Sequence, residues 1–461
     1  MNITQKFQFN KKLNINFSGG EVTGNAWMFL FHEFAQKMNL RALLEKYLPD
    51  TREGNHLHTK SEIIEQIIMR IASWMSSNNN YVYQKADPVF MEIHGQKIAS
   101  SATCSRLENT FNFADVEGLK KVQRALETYN LQVTNPNEII IDLDTTYDPA
   151  SENIEYSRFN WHYSKNGHAP LLAFNGLNGD FLKWNLRPGN YYCSTLADSF
   201  LDEMIRFYQG KGIQKIIMRG DSAFSTPKLY ELMETKQIEY FIKLKSNTTL
   251  QKMAEGKWVR WLSLFTELAY QAKSWDKVRR VIVCIDWVQN KKQQDLFPIY
   301  SFVITNNTTL SSEEVFSMYN GRATMEKSIE EAKNGFDMDH LSHKSFKTNA
   351  VKFQIHLLTI QLVQLFRKFS LAREKVGDSR KEKSKRKDSK KITRKFKKEK
   401  VGRKETKLPD ISSIRKQIFS VPARIVRTWR QIYCKCASSF VFQNLFRRVL
   451  DLIQGLEVLI L

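Results

Sequence analysis

The sequence has few cysteines and no apolar run long enough to span a membrane. Its five cysteines are odd in number and scattered over 461 residues, which fits a reducing compartment rather than a disulfide framework. Cys434 and Cys436 have no second pair at zinc-finger spacing, so we interpret them as alternating strand residues. The first residues also lack the apolar core of a signal peptide. We therefore expect a cytoplasmic protein that does not associate with a membrane.

Acidic residues are too few to balance the basic ones. The chain has 70 Lys and Arg against 48 Asp and Glu, a net charge of +22. Residues 373–407 hold 18 Lys and Arg and 6 Asp and Glu, or +12, and subtracting 12 from 22 leaves +10 elsewhere. A basic body predicts a polyanionic partner, nucleic acid first. The lysine-rich segment predicts a disordered stretch that either adds affinity for DNA or serves as a solvated linker.

Helical periodicity dominates residues 1–130, where Thr59 or Ser61 is the expected N-cap of one helix. Short helices with basic connections are typical of a DNA-binding region. Residues 100–110 would then form its recognition helix, which presents outward Thr103, Ser105 and Arg106. An all-helical packing domain explains the same pattern equally well.

After residue 135 the periodicity changes to that of strands. Residues 138–146 alternate, so Ile140, Asp142 and Asp144 share one face of a strand. A carboxylate at the end of an apolar strand is costly to bury unless it is paired or binds a metal. Asp144 is therefore the candidate ligand of this strand, and Asp142 is its rival.

The order of segments in residues 131–245 is three antiparallel strands, a helix, a strand, a helix and a strand. This order predicts an α/β, ribonuclease-H-like (retroviral-integrase-like) catalytic core, in which the ends of the first and fourth strands lie together. Asp144 ends the first strand, and Asp221 follows the fourth. We expect the rest of the chain to comprise a β-rich insertion, final core helices, a basic linker and a C-terminal subdomain, at residues 246–310, 311–371, 372–408 and 409–461. The insertion has an alternative interpretation as a plain β-layer over one sheet edge.

Residues 319–333 predict one amphipathic helix, since they are rich in helix formers. On a wheel of about 100° per residue, four polar side chains fall within roughly 60° of one another, namely Tyr319, Arg322, Glu326 and Lys333. Alone, Glu326 would be a salt-bridging residue on a solvated face. Together with Asp144 and Asp221 it becomes a third carboxylate. Glu330 shares the same face, so the wheel does not separate it from Glu326.

These residues resemble the DDE transposases of bacterial insertion sequences with a β-insertion and a Y-R-E-K signature, the thirteen-eighty group being nearest. The matching stretches are Asp144-Thr145-Thr146, Leu186-Arg187-Pro188-Gly189-Asn190, Arg219-Gly220-Asp221-Ser222-Ala223-Phe224 and Tyr319-x2-Arg322-x3-Glu326-x6-Lys333. The resemblance covers most of the chain, and the spacing of the last motif is its most specific part. The lysine-rich run at 373–407 departs from the family pattern.

The resemblance implies a transposase that cuts and joins DNA at the inverted ends of its element. Its cofactor would be Mg²⁺ or Mn²⁺, with two ions held by Asp144, Asp221 and Glu326. Tyr319, Arg322 and Lys333 would contact DNA. The partners implied are the terminal inverted repeats, the target DNA and a second subunit in a homodimeric synaptic complex, in a bacterial cytoplasm and on the nucleoid when bound. The alternatives are a domesticated endonuclease that does not integrate, and a repressor with an inactive core.

Two tryptophans can stack on an extruded base, Trp161 and Trp184, and core packing is the alternative for each. His162 and His168 do not have metal-ligand spacing. We expect both in loops or strands, where contact with DNA is possible.

Overall fold

The computed structural model describes residues 5–6, 9, 12, 14–255, 264–289, 296–371 and 414–460. They belong to two compact units. The smaller unit takes its described residues from 1–37, 87–89 and 363–457, and the larger unit from 38–86, 90–362 and 458–461. The segment boundaries predicted from the sequence do not coincide with the boundaries of these two units, and they stay predictions. Among the described residues, no helix is both long enough and apolar enough to cross a bilayer.

Helices dominate the chain up to residue 134, as the periodicity predicts. The helices are α1 (Met28–Lys37), α2 (Leu40–Tyr47), α3 (Lys60–Ala72), α4 (Tyr81–Ala86), α5 (Pro88–Ile93), α6 (Ser101–Glu108) and α7 (Phe113–Thr134). Thr59 caps α3 in a reciprocal capping box with Glu62, which confirms the first of the two predicted caps. On α6, Ser105 and Arg106 are exposed. The role of α6 in reading DNA stays a prediction.

The fold of the larger unit is mixed α/β, built on one sheet of eight strands. Strands in this region are β4 (Glu138–Thr145), β5 (Asp148–Pro149), β6 (Arg158–Asn160), β7 (Lys165–His168), β8 (Leu171–Asn175), β9 (Phe181–Asn185), β10 (Lys215–Gly220), β11 (Glu239–Leu244), β12 (Leu264–Tyr270), β13 (Arg279–Gln289) and β14 (Leu296–Thr305). The order across the large sheet is β12-β13-β14-β11-β10-β4-β8-β9, and β5-β7-β6 form a separate small sheet.

Strand directions follow the predicted order of segments. β8 is antiparallel to β4 and β9 to β8, while β10 runs parallel to both β4 and β11. The connecting helices are α8 (Ala197–Gly210) and α9 (Pro227–Thr235). The predicted insertion contains α10 (Thr248–Ala254) and strands β12 to β14. β14 pairs antiparallel with β11, so these strands continue the main sheet at that edge.

Apolar side chains cover both faces of the sheet. On one face Ile139, Ile141 and Leu143 belong to a core shared with α8 and α9. On the other, Ile140 belongs to a core with Val315 and Phe316 of α11 (Ser312–Asn320). The predicted alternation of β4 is therefore confirmed. Since Asp142 and Asp144 share the face of Ile140, they point toward the side that α11 covers.

The chain after α11 makes a 3₁₀ turn at Gly321–Ala323, then forms α12 (Thr324–Phe336) and α13 (Phe346–Leu371). Ser311 and Glu314 form a reciprocal capping box at the start of α11. The lysine-rich residues 373–407 lie outside the described residues.

The smaller unit combines the two ends of the chain. Its described elements are β1 (Gln5–Lys6), β2 (Asn14–Ile15), β3 (Val22–Thr23), α1, a π-helical turn at Arg415–Phe419, β15 (Ala423–Arg427), β16 (Ile432–Cys436) and α14 (Gln443–Gln454). β15 pairs with both β3 and β16, and the rings of Trp27 and Phe419 stack with their centroids 4.0 Å apart. Cys434 and Cys436 both lie in β16, which confirms their interpretation as strand residues.

Candidate active site

Two neighbouring parallel strands bring the first two candidate carboxylates together. β4 and β10 pair in a register that places Asp142 opposite Arg219. Two residues further along, the same register places Asp144 opposite Asp221, whose backbone is still extended at φ −76° and ψ −176°. Side chains two residues apart on a strand share a face. Both carboxylates therefore lie at one end of the sheet, on the side that α11 covers.

Asp142 is a structural residue rather than an open ligand. Its side chain is completely buried, and both of its oxygens accept hydrogen bonds from Arg219, each at 2.6 Å. Gly176 lies so close to this pair that a Cβ there would sit 2.2 Å from Arg219 Nη2. A bidentate, fully buried ion pair fixes both partners in place. Of the two candidate ligands on β4, only Asp144 is not held in a fully buried, bidentate ion pair.

The single helix predicted for residues 319–333 is wrong, because the chain breaks at Gly321–Ala323. Arg219 Nη1 donates a hydrogen bond of 2.8 Å to the carbonyl of Met318. In a continuous helix that carbonyl would accept from the N–H of Arg322. Gly321 packs against the same guanidinium, since a Cβ at this position would lie 2.5 Å from Nη1. The Asp142–Arg219 pair thus sets the break between α11 and α12.

The break changes the position of each residue in the motif Tyr319-x2-Arg322-x3-Glu326-x6-Lys333. Tyr319 lies near the end of α11, Arg322 in the 3₁₀ turn, Glu326 in the first turn of α12 and Lys333 in its last turn. The helical wheel therefore does not describe their arrangement. α12 is tied to the rest of the larger unit by Ser328, whose hydroxyl donates to the Gly179 carbonyl at 3.0 Å.

Asp144 has the environment expected of a reactive carboxyl group. Its side chain is 20% exposed, and its Oδ1 accepts a hydrogen bond from the Thr145 N–H at 2.8 Å and forms an ion pair with Arg322 Nη2 at 3.2 Å. Burial raises the pKa of Asp144 to about 6, Arg322 opposes that rise, and the charges of Asp221 and Glu326 add to it. Asp221 and Glu326 are therefore both within electrostatic reach of Asp144.

Asp221 and Glu326 differ from Asp144 in exposure and bonding. Asp221 is half-buried and caps the short 3₁₀ turn Ser222–Phe224, because its Oδ1 accepts from the Ala223 N–H at 2.9 Å. Glu326 is exposed on α12. Capping uses only one carboxylate oxygen of Asp221. The same side chain can therefore cap the turn and also serve as a ligand.

The three residues that are candidates for DNA contact differ in their burial and hydrogen bonding. Arg322 also donates to the Leu143 carbonyl at 3.1 Å, and its Nε is buried without a hydrogen-bond partner among the described residues. Tyr319 packs against the core beneath α11, and burial raises the pKa of its hydroxyl. Lys333 donates to the Tyr147 carbonyl at 2.8 Å and pairs with Asp339 at 3.5 Å. As placed, Lys333 holds the loop that follows β4.

Sequence reasoning missed several side chains around this loop. Tyr163 stacks on Tyr147 with 4.8 Å between ring centroids, and its pKa is raised by burial and then by the charges of Asp144, Cys193 and Asp221. Strand alternation could not reveal Tyr163, because it lies in the turn between β6 and β7. His168, expected in a loop or strand with DNA contact possible, is wholly buried in β7 and pairs through Nδ1 with Asp148 at 2.8 Å.

A metal site would have to be made from this carboxylate cluster. Across the described ranges, no group of three or more His, Cys, Asp or Glu side chains is arranged closely enough to hold an ion. The chemistry of the donors nevertheless fits Mg²⁺ or Mn²⁺, which prefer carboxylate oxygens. Burial is the main cause of the raised pKa of Asp144, and the charges of Asp221 and Glu326 add to it. A divalent cation would offset this repulsion between the carboxylates. Arg322 supplies part of that positive charge here.

Comparison with known proteins identifies a family and a structural likeness. A family model described as transposase DDE domain, group 1, matches residues 5–385. No curated protein matches the chain. Among solved structures, the chain is similar to one described as a cryo-EM structure of the piggyBac transposase synaptic complex with hairpin DNA. That likeness has 10% identity, covers 73% of each chain and has a TM-score of 0.42.

Proposed function

Because the chain belongs to the transposase DDE domain family, group 1, we propose that it is the transposase of a bacterial insertion sequence with a Y-R-E-K signature. It would bind the terminal inverted repeats of its element, cleave the DNA there and join the ends to a target. The observation that carries this proposal is the electrostatic coupling of Asp144 with Asp221 and Glu326 at one end of the sheet.

A ribonuclease-H-like core is part of the proposal. The strand order β9-β8-β4-β10-β11, with helices after β9 and β10, supports it. In that core the catalytic carboxylates follow two adjacent central strands, and a later helix supplies the third. Asp144 at the end of β4, Asp221 directly after β10 and Glu326 on α12 match these positions.

Asp144, Asp221 and Glu326 would together hold two Mg²⁺ or Mn²⁺ ions. When bound, such a pair of ions stabilises the attacking and leaving oxygens in phosphoryl transfer. The raised pKa of Asp144 implies that its oxygens bind a cation in competition with a proton, so binding weakens below about pH 6.

Basic and aromatic side chains would position the DNA. Arg322 pairs with Asp144 through Nη2, and its guanidinium would also contact a phosphate oxygen. Tyr319 would orient the strand. Lys333 contributes to the site by holding the Tyr147 carbonyl, and because its ammonium group has three N–H donors, another of them would contact a phosphate. The net charge of +22 would add affinity that does not depend on sequence.

The proposal extends to assembly and location, where we expect a homodimer in the synaptic complex and a cytoplasmic protein that joins the nucleoid when bound to DNA. The α-helical N-terminal region would read the element ends, with Thr103, Ser105 and Arg106 on α6 as the candidate contacts.

A plasmid that carries the gene with its native flanking DNA tests the function. We expect purified protein with Mg²⁺ to cut at the ends of the element and to join them to a second plasmid. With a chelator in place of Mg²⁺, both products should be absent. Cleavage without joined products would favour an endonuclease that does not integrate, and specific binding without cleavage would favour a repressor.

A further inference from the structure

The β6–β7 hairpin presents large aromatic side chains to solvent. Trp161 is 87% exposed and Phe159 is 42% exposed, and their rings meet edge to face with 5.0 Å between centroids. The structure separates the two tryptophans considered from the sequence, since Trp184 is 1% exposed and packs in the core. Exposed aromatic pairs of this kind are uncommon unless a ligand covers them.

The hairpin adjoins the candidate carboxylates. Tyr163, two residues after Trp161, stacks on Tyr147, which lies three residues beyond Asp144 on the chain. The ring of His162 packs edge to face on Tyr163 with 4.7 Å between centroids. The aromatic side chains therefore continue from the end of β4 to the tip of the hairpin.

The hairpin is basic and firmly held. Residues 156–179 contain Arg158, Lys165 and no acidic residue. Asn160 fixes the turn, because its Oδ1 accepts from the His162 N–H at 3.0 Å and its Nδ2 donates to the Gly189 carbonyl at 2.9 Å. A Cβ at Gly189 would lie 2.0 Å from the Gly167 carbonyl oxygen, so the two backbones are in close contact. The aromatic surface is thus already positioned before a ligand arrives.

We propose that this hairpin is a stacking platform for unpaired nucleotides of the DNA strand at the cleavage site, with Trp161 and Phe159 as the contact residues. The inference rests on the proposed function. Aromatic rings combined with positive charge and no acidic residues match the requirements of single-stranded DNA, whose bases stack on rings while its phosphates bind cations. A protein ligand would not require a position beside the carboxylates.

The test compares two DNA probes that differ only in pairing. One is a short blunt duplex, and the other is the same duplex with an unpaired overhang that contains the fluorescent base 2-aminopurine. We expect the parent to bind the overhang probe more tightly and to quench its fluorescence. Trp161→Ala should lose about tenfold in affinity for the overhang probe, the size expected for one lost stacking contact, and little for the blunt one. Trp161→Phe should retain most of both effects.

Trp429→Ala is the matched control, because Trp429 is 85% exposed and lies in the turn between β15 and β16 of the smaller unit. It should behave as the parent with both probes. All variants should melt at the temperature of the parent, since these side chains are on the surface.

Binding is measured without a divalent metal, so the result does not depend on cleavage. If Trp161→Ala binds and quenches as the parent does, or if the parent does not distinguish the two probes, the platform is wrong even when the protein cuts DNA. A different result would overturn the proposed function alone. In that case the parent cuts no DNA with Mg²⁺, yet it binds the overhang probe more tightly than the blunt probe and Trp161→Ala loses this preference, so the stacking proposal is retained.

Discussion

At the scale of single residues, two aspartates on one strand have different environments. Asp142 is fully buried and paired with Arg219, whereas Asp144 is partly exposed beside two other carboxyl groups. Removing one partner of a buried ion pair leaves an uncompensated charge. Removing a carboxylate that is repelled by its neighbours relieves an unfavourable interaction. The two positions should therefore respond differently to the same substitution.

We predict that Asp142→Ala lowers the free energy of unfolding by about 3–5 kcal/mol, the usual cost of breaking a buried pair. Asp144→Asn should stay within about 1 kcal/mol of the parent and should abolish DNA cleavage. Urea titration of both variants gives the stabilities. Equal stability losses in the two variants would show that the carboxylates are not divided into a structural and a reactive one.

At the scale of elements, the break between α11 and α12 depends on close packing at a glycine. We predict that Gly321→Ala destabilises the protein by about 1–3 kcal/mol, because the new Cβ would lie 2.5 Å from the fixed Arg219 guanidinium. It should also reduce cleavage, since Arg322 lies within the break and Glu326 lies just after it. Chemical unfolding and a cleavage assay measure the two effects.

Gly335→Ala is the control for helix propensity. Gly335 lies in α12, and the nearest atom to a new Cβ is Trp74 Nε1 at 3.9 Å, an ordinary contact. This variant should be as stable as the parent or more stable by up to about 1 kcal/mol. A stabilising Gly321→Ala would mean that the break has no structural role.

The end of α12 contains a pH-sensitive contact with α13. His356 is buried, and its Nδ1 donates to the Phe336 carbonyl at 2.9 Å. Burial lowers the pKa of His356 to about 4, the Phe336 carbonyl opposes this, and the charges of Lys352 and Arg70 lower it further while Asp337 raises it. Below its ordinary pKa of 6.5 the unfolded chain therefore binds a proton that the folded chain does not.

We predict that the stability contributed by neutral His356 is complete above about pH 6.5 and falls toward pH 4, by up to about 3 kcal/mol. His356→Asn retains a donor for Phe336 and cannot ionise, so its stability should change less between pH 7 and pH 5. Urea titrations at the two pH values measure the difference. The same pH dependence in parent and variant would assign it to other groups.

The sequence was sufficient to predict most elements but not the contacts that connect them. The alternation of β4 and the helix cap at Thr59 are local signals, and the structure confirms them. The helix break at Gly321 depends on Arg219, about one hundred residues earlier, so no local pattern predicts it. The same holds for the pairing of Asp142 and for the placement of Tyr163.

At the scale of the whole molecule, positive charge has two sources, the body and the segment 373–407. Deleting this segment removes +12 of the net +22. We predict that the deletion lowers the slope of log affinity against log salt concentration on a DNA of unrelated sequence, because fewer phosphate counterions are released. The remaining +10 should preserve measurable binding. An unchanged slope would indicate that the segment is only a solvated linker.

The central claim is that Glu326 completes a triad with Asp144 and Asp221. The most direct measurement is Mg²⁺-dependent cleavage of plasmid DNA that carries the native flanking sequence, with Glu326→Gln and Glu330→Gln compared side by side. Both residues are exposed on α12, one helical turn apart, so they form a matched pair. We predict that Glu326→Gln lowers the cleavage rate by at least about a thousandfold while Glu330→Gln cleaves as the parent does. Cleavage by Glu326→Gln at the rate of the parent would contradict the account.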